Sequence, residues 1–334
     1  MDGRPPDFDA SSGGAIRPEL EPAPPTVRKS GLAFFSIVLA VYALLGTLAQ
    51  AASPLLGLTW SEAFGLLLPA VLAAAGSNLK VGPALRLTRR PRAGWLALAI
   101  AIGVAGSFTA GALMSLTSLL LPARWMELFD VSKLFEGRPP LERAALGLVA
   151  ATLAPLCEEV AFRGWLLTAL RTRHGTRVAL ATSAMLFALM HLDPVRFAAL
   201  VVLGLLYGWL AWRAGSVWPA VVAHAANNGL GLLLAESGVA RGASSLARAS
   251  PREVVASAVV LLATSGPLLA LALALYRIAT PAPPPVEDAL VRRDPAQPAT
   301  AFRPERIPPR YLAAVLAGVA TLVTLGALAV TRRP

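Results

Sequence analysis

The chain alternates between long apolar runs and short stretches dense in charge, proline and glycine. About 20 consecutive apolar residues let an α-helix cross the hydrocarbon of a bilayer. Such runs lie near 31–51, 55–76, 94–122, 144–170, 178–192, 195–212, 216–235, 253–276 and 311–330. The pattern predicts an all-α fold, a polytopic transmembrane helical bundle with eight or nine membrane helices. The third run is long enough to tilt, and the fifth and sixth are short enough to form one hairpin with an imperfect span. Between the third and fourth runs, Trp125, Met126, Leu128, Phe129, Val131, Leu134 and Phe135 are interspersed with Glu127, Asp130 and Lys133. That mixture suits an interfacial helix, either a surface anchor or a gate to lateral entry.

The stretches outside the runs divide the chain. Residues 1–30 are Pro-rich and of mixed charge, without the basic start and apolar core of a signal peptide, and read as a disordered cytoplasmic tail. Residues 31–276 form the membrane bundle, 277–310 a Pro/Arg-rich linker without periodicity, and 311–330 an additional C-terminal transmembrane helix.

Composition agrees with this partition. With 56% apolar and 15% charged residues over 334 positions, the chain carries more apolar surface than a soluble core of this length buries, so the lipid bilayer is its natural partner. The net charge of +11 could suit nucleic acid, but the basic residues fall in short clusters between apolar runs and form no aromatic-laced patch; no nucleic-acid partner is expected. With the N-terminus placed inside, nineteen of the thirty Lys and Arg residues lie on the cytoplasmic side and ten outside, Arg163 lying within a run. That asymmetry favours a cytoplasmic N-terminus. The Ala-, Arg- and Pro-rich composition looks like that of a GC-rich bacterium, which makes this a multi-pass protein of the cell inner membrane. A lone cysteine, Cys157, excludes an intrachain disulfide and a thiolate metal cluster.

Ionisable groups at mid-membrane cost about 2.5 to 3.5 kcal/mol each on insertion scales, so their presence needs a reason. They cluster in three runs: Glu158, Glu159 and Arg163 in the fourth, His191 at the end of the fifth, and His224 with Asn227 and Asn228 in the seventh. At about 1.5 Å of rise per residue, Glu158 lies roughly 18 Å, His191 roughly 20 Å and His224 roughly 12 Å from the cytoplasmic ends of their helices, so all can share one layer. Glu159 and Arg163 are four apart with the acid first, the favourable order for an ion pair, while Glu158 is rotated by about 100° and left free to act. His224 and Asn228 share a face, as do Phe187 and His191; Asn227 is an alternative to Asn228. Pro155 and Pro219 precede two of these groups and would kink the helices or free backbone carbonyls, tolerable where these line a polar cavity. Taken singly, a Glu–Arg pair is often mere packing and a histidine near a helix end is usually structural; their joint occurrence at compatible depth points to chemistry.

These residues resemble a known family. Glu158, Glu159 and Arg163 match its EExxxR motif, Phe187 and His191 its FxxxH motif, and His224 with Asn228 its HxxxN motif, in that order, within residues 94–235. The resemblance is to the CPBP group of intramembrane endopeptidases, the CAAX-protease or abortive-infection family. It implies a helical bundle around a polar cavity and hydrolysis of a peptide bond in a membrane-associated protein or peptide. Glu158 and His191 would activate water, His224 and Asn228 would donate to the oxyanion, and Glu159, Arg163 and Phe187 would support them. A shielded carboxylate suits general-base work near neutrality, and His and Asn donors suit an oxyanion. Members have also been described as metalloproteases: zinc is possible, with His191, His224 and Glu158 as ligands, but HExxH is absent, and a glutamate mechanism without a cofactor is favoured. The alternative is a non-catalytic membrane scaffold or immunity protein of the same fold. A transporter would show two related halves with paired broken helices, and none is visible.

Overall fold

A computed structural model describes residues 37–38, 41–42, 46–76, 80–237 and 249–282. The expected N-terminal tail, most of the first run, most of the linker and the last run lie outside the described residues. Every regular element among the described residues is helical. The long ones are α1 (Pro54–Ala75), α2 (Ala93–Ser118), α3 (Pro140–Arg171), α4 (176–190), α5 (Phe197–Ala214), α6 (Trp218–Glu236) and α7 (Pro251–Ala279).

Helix boundaries follow local chemistry. Pro54, Pro140 and Pro251 each start a helix, where a missing N–H costs nothing. Ser250 and Glu253 close a reciprocal capping box at the start of α7. The helical trace leaving α3 breaks at Gly175, which adopts a φ of 73° open to glycine, and resumes as α4. Asp193 then accepts from the backbone N–H groups of Val195 and Arg196, at 2.9 and 3.0 Å, and starts α5. As the short fifth and sixth runs predict, α4 and α5 pack against each other as a hairpin.

Among the described residues five helices, α1, α2, α3, α5 and α7, are long and apolar enough to cross a bilayer; of the eight or nine expected, the last run and most of the first lie outside the described residues. Helix α4 is short, and α6 is interrupted by His224, Asn227 and Asn228. Large apolar side chains face outward where lipid would lie, most densely on α7, including Val259, Val260, Leu268, Leu271 and Ile278. The expected interfacial segment forms a short helix, Ala123–Leu128, and a 3₁₀ turn, Val131–Leu134, with Leu128, Val131 and Leu134 exposed.

Inside, two apolar clusters divide the bundle. One joins α1, α3 and α4 through Leu66, Cys157, Phe162, Trp165 and Phe187. The other joins α2, α5, α6 and α7 through Ile102, Leu203, Tyr207, Ala223 and Tyr276. Small residues let the backbones close: a Cβ at Gly103 of α2 would run into the carbonyl of Ala223, and one at Gly204 of α5 would meet the Ala184 backbone of α4 at 3.0 Å. These approaches set α6 and α5 at the depth where the polar residues meet.

Candidate active site

The site begins with an irregularity in α3. Two π-wound stretches, Val149–Leu153 and Val160–Leu166, flank the turn Ala154–Glu159. Pro155 explains part of this. The N–H of Ala154 reaches back five residues to the carbonyl of Val149, and the next residue, a proline, has no N–H to give. The carbonyl of Ala150 thereby loses both helical donors, at four and at five residues' distance. Asn228 of α6 supplies the replacement, donating from Nδ2 to Ala150 O at 2.9 Å. Asn227 donates to Asn228 Oδ1 at 3.0 Å and accepts from Ser107 Oγ at 2.8 Å, so both asparagines belong to one chain running from α2 to α3.

One turn earlier on α6, His224 is held between the two clusters. Its ring stacks on Tyr207 at 4.9 Å and 19° and meets the edge of Phe187 at 5.9 Å. Nδ1 donates to Glu159 Oε1 at 2.9 Å, and Nε2 faces Glu158 Oε2 at 3.8 Å. The two adjacent carboxylates have different surroundings. Glu159 is fully buried and also accepts from Arg163 Nη1 at 2.9 Å, the i,i+4 pair expected from spacing. Arg163 donates further to Gly204 O at 3.2 Å and lies 4.1 Å above the Phe187 ring. Glu158 is 6% exposed and carries no arginine; its Oε2, like Oε2 of Glu159, has no hydrogen-bond partner among the described residues.

His191 enters through Phe187. The rings are 4.9 Å apart edge to face, and His191 Nδ1 bonds the Phe187 carbonyl at 2.9 Å. A carbonyl only accepts, so Nδ1 carries a proton, and in the neutral form of the ring Nε2 presents the lone pair. The structure thus brings Glu158, Glu159, Arg163, Phe187, His191 and His224 into one connected group, with Asn228 a turn away on α6. The imidazole that faces Glu158 is that of His224.

Two residues absent from the motif reading also belong here. Tyr207 forms the stacking floor under His224, and its hydroxyl is buried without a partner among the described residues. Glu62 of α1 is fully buried in a turn that packs against Ala154–Glu159, so the bundle holds a third interior glutamate near the site. As a lone charge in an apolar run it had a sequence signal.

Zinc requires three protein donors around one point with a fourth position open. Among the described residues no three His, Cys, Asp or Glu side chains are grouped to hold a metal ion. The set named for the case that zinc is bound, His191, His224 and Glu158, is thus not gathered around one point and does not fit a metal ion as the side chains stand.

Two apolar grooves lie away from these residues. Of about 500 and 400 Å³, they are lined by Trp209 and Leu273 between α5 and α7, on the outside of the bundle from the carboxylates.

Comparison with known proteins agrees with the motifs. Residues 140–230 match the family model described as Type II CAAX prenyl endopeptidase Rce1-like, a stretch running from the start of α3 into α6. No curated protein and no solved structure matches the chain.

Proposed function

We propose that this chain, matched over residues 140–230 by the Rce1-like family of CAAX proteases, is an intramembrane endopeptidase acting by Glu158-activated water on a membrane-associated protein or peptide. The observation that carries the reading is the unequal treatment of adjacent carboxylates. Glu159 is fully buried and held through Oε1 by both Arg163 and His224, whereas Glu158 is slightly exposed, has no arginine on it and faces His224 Nε2 at 3.8 Å.

The chemistry follows from these roles. Glu158 takes a proton from water as its oxygen attacks the peptide carbonyl, and returns it to the amine as the C–N bond breaks. His191, fixed by Phe187 in the tautomer with a lone pair at Nε2, accepts the water's second hydrogen and orients it. Asn228 spends one amide hydrogen on Ala150 O and has a second for the oxyanion. His224, held at Nδ1 by Glu159, donates from Nε2 when that nitrogen is also protonated. Each such donor contributes about 3 to 4 kcal/mol. Arg163 locks Glu159, and Glu159 fixes the ring of His224, the part an orienting carboxylate plays in other hydrolases. In this reading no cofactor is used, the N-terminus is cytoplasmic and the membrane is the cell inner membrane.

The test is a comparison, by mass spectrometry, of membrane-protein termini in cells carrying the wild type or Glu158→Gln. New termini present only with the wild type are expected. Identical termini at equal expression would favour the scaffold or immunity reading.

A further inference from the structure

Glu62 is the only charged residue of α1. Its side chain is fully buried, and neither carboxyl oxygen has a hydrogen-bond partner among the described residues. It lies in the π-wound turn Ser61–Leu67, which packs against the turn holding Glu158. Both side chains are buried where these two turns of α1 and α3 pack together, within electrostatic range of one another.

The contrast with Glu159 is informative. That buried carboxylate has a guanidinium and an imidazole on one oxygen, the ordinary way to keep a charge inside a protein. Glu62 has neither, although Leu or Met would pack in an apolar helix without cost. Four carboxyl oxygens of these three glutamates, both of Glu62 and the Oε2 atoms of Glu158 and Glu159, are buried without partners among the described residues, and of the three side chains only Glu62 has no cationic or imidazole neighbour on either oxygen. Buried polar atoms left this way call for a shared proton or a bridging water.

We propose that Glu62 and Glu158 are a carboxyl pair that shares one proton, with Glu62 the positioning residue that holds it beside the base. Two carboxyl groups buried together do not both ionise readily, so the resting pair carries a single negative charge. The consequence for hydrolysis rests on the peptidase reading above. As water attacks, its O–H bond breaks, its oxygen bonds to the carbonyl carbon, and the released proton joins the pair, which then holds two. When the C–N bond breaks, one of these goes to the amine nitrogen and the pair returns to its resting state. Glu62 touches no substrate in this scheme; it keeps Glu158 in the state that accepts.

Infrared spectra of the purified protein read the pair without any cleavage assay. The wild type is expected to show the carbonyl stretch of a protonated, buried carboxyl group. Glu62→Gln removes that band, and Glu158→Gln shifts it, because the remaining carboxyl then holds its proton against a neutral amide. Glu62→Met also removes it and serves if the glutamine variant folds poorly, as judged by Tm. In turnover, Glu62→Gln lowers kcat about tenfold with KM unchanged, less than the hundredfold floor for loss of a general base itself. A wild type without the band, a band that Glu158→Gln leaves in place, or a Glu62→Gln protein of full kcat overturns the pair. Full turnover by Glu158→Gln overturns the peptidase reading instead, and the infrared arm still decides the pair.

Discussion

Glu159 serves two partners through one oxygen, and this sets what its loss does. Glu159→Gln leaves Arg163 with a backbone carbonyl and aromatic faces but no counter-charge, at a cost of about 3 to 5 kcal/mol for a buried broken pair. It also replaces the carboxylate that fixes His224. The variant should therefore melt at lower temperature and turn over at least about a hundredfold more slowly. Adding Arg163→Met removes the stranded charge and should restore part of the Tm without restoring turnover. Recovery of both together would mean that Glu159 acts only as a counter-ion. At this scale the sequence was informative where helical spacing carries the information: Glu159 with Arg163, and Phe187 with His191, sit on common faces because four residues is close to one turn. Tyr207 was not legible, since one aromatic in an apolar run looks like any other until its neighbour across the helix interface is known. Glu62 was legible as a lone intramembrane charge, but no motif spacing tied it to Glu158.

Among the elements, the close approach of α2 and α6 places His224. Gly103→Ala puts a methyl group against the Ala223 backbone, one residue from His224, and should lower both Tm and turnover. Gly111→Ala is the internal control: it lies on the same helix with nothing within 4 Å of the added carbon, so it should leave both unchanged. Equal effects at the two positions, measured by detergent melting and cleavage rate, would disprove the packing argument. The helical runs and the α4–α5 hairpin were readable from hydropathy and length. The π-wound turns were not, because adding a residue to one turn leaves the pattern of a helix that is apolar on nearly every side unchanged. Pro155 hinted at them; that its orphaned carbonyl is met by Asn228 required the fold.

At the scale of the whole molecule, the described basic residues around Arg86, Arg171 and Arg213 gather at one end. Arg86 donates to Thr168 Oγ1 at 3.2 Å and to Ala211 O at 3.3 Å, Ser216 donates to Arg89 O at 2.7 Å, and Arg213 reaches Thr280. Burial brings the Arg86 guanidinium down to about 9, with neighbouring Arg171 adding to the effect. Trp95 Nε1 donates to Ala279 O at 3.1 Å, which sets the start of α2 beside the end of α7. Since α7 is 29 residues of continuous helix, its own start lies about 42 Å away at 1.5 Å per residue. Arg90, close before α2, and Pro251, the first residue of α7, therefore lie at opposite ends of the bundle, and Ser245 precedes Pro251 by six residues in the sequence. The excess of Lys and Arg on the first side predicts that this end is cytoplasmic. Single cysteines at Arg90 and Ser245, in a Cys157→Ala background, should react with an impermeant thiol reagent in intact cells only at Ser245. Labelling at Arg90 alone would invert the orientation.

The central claim is that Glu158 is the base and that the rest of the polar group exists to present it. The most direct measurement is turnover of a membrane-peptide substrate by purified wild type and Glu158→Gln, each with and without chelator and each with its Tm. The account predicts that glutamine, which keeps the shape but cannot take the proton, lowers kcat at least about a hundredfold at an unchanged Tm, and that chelator leaves the wild type active. A well-folded Glu158→Gln protein with wild-type turnover, or a wild type whose activity disappears with chelator and returns with zinc, would contradict it.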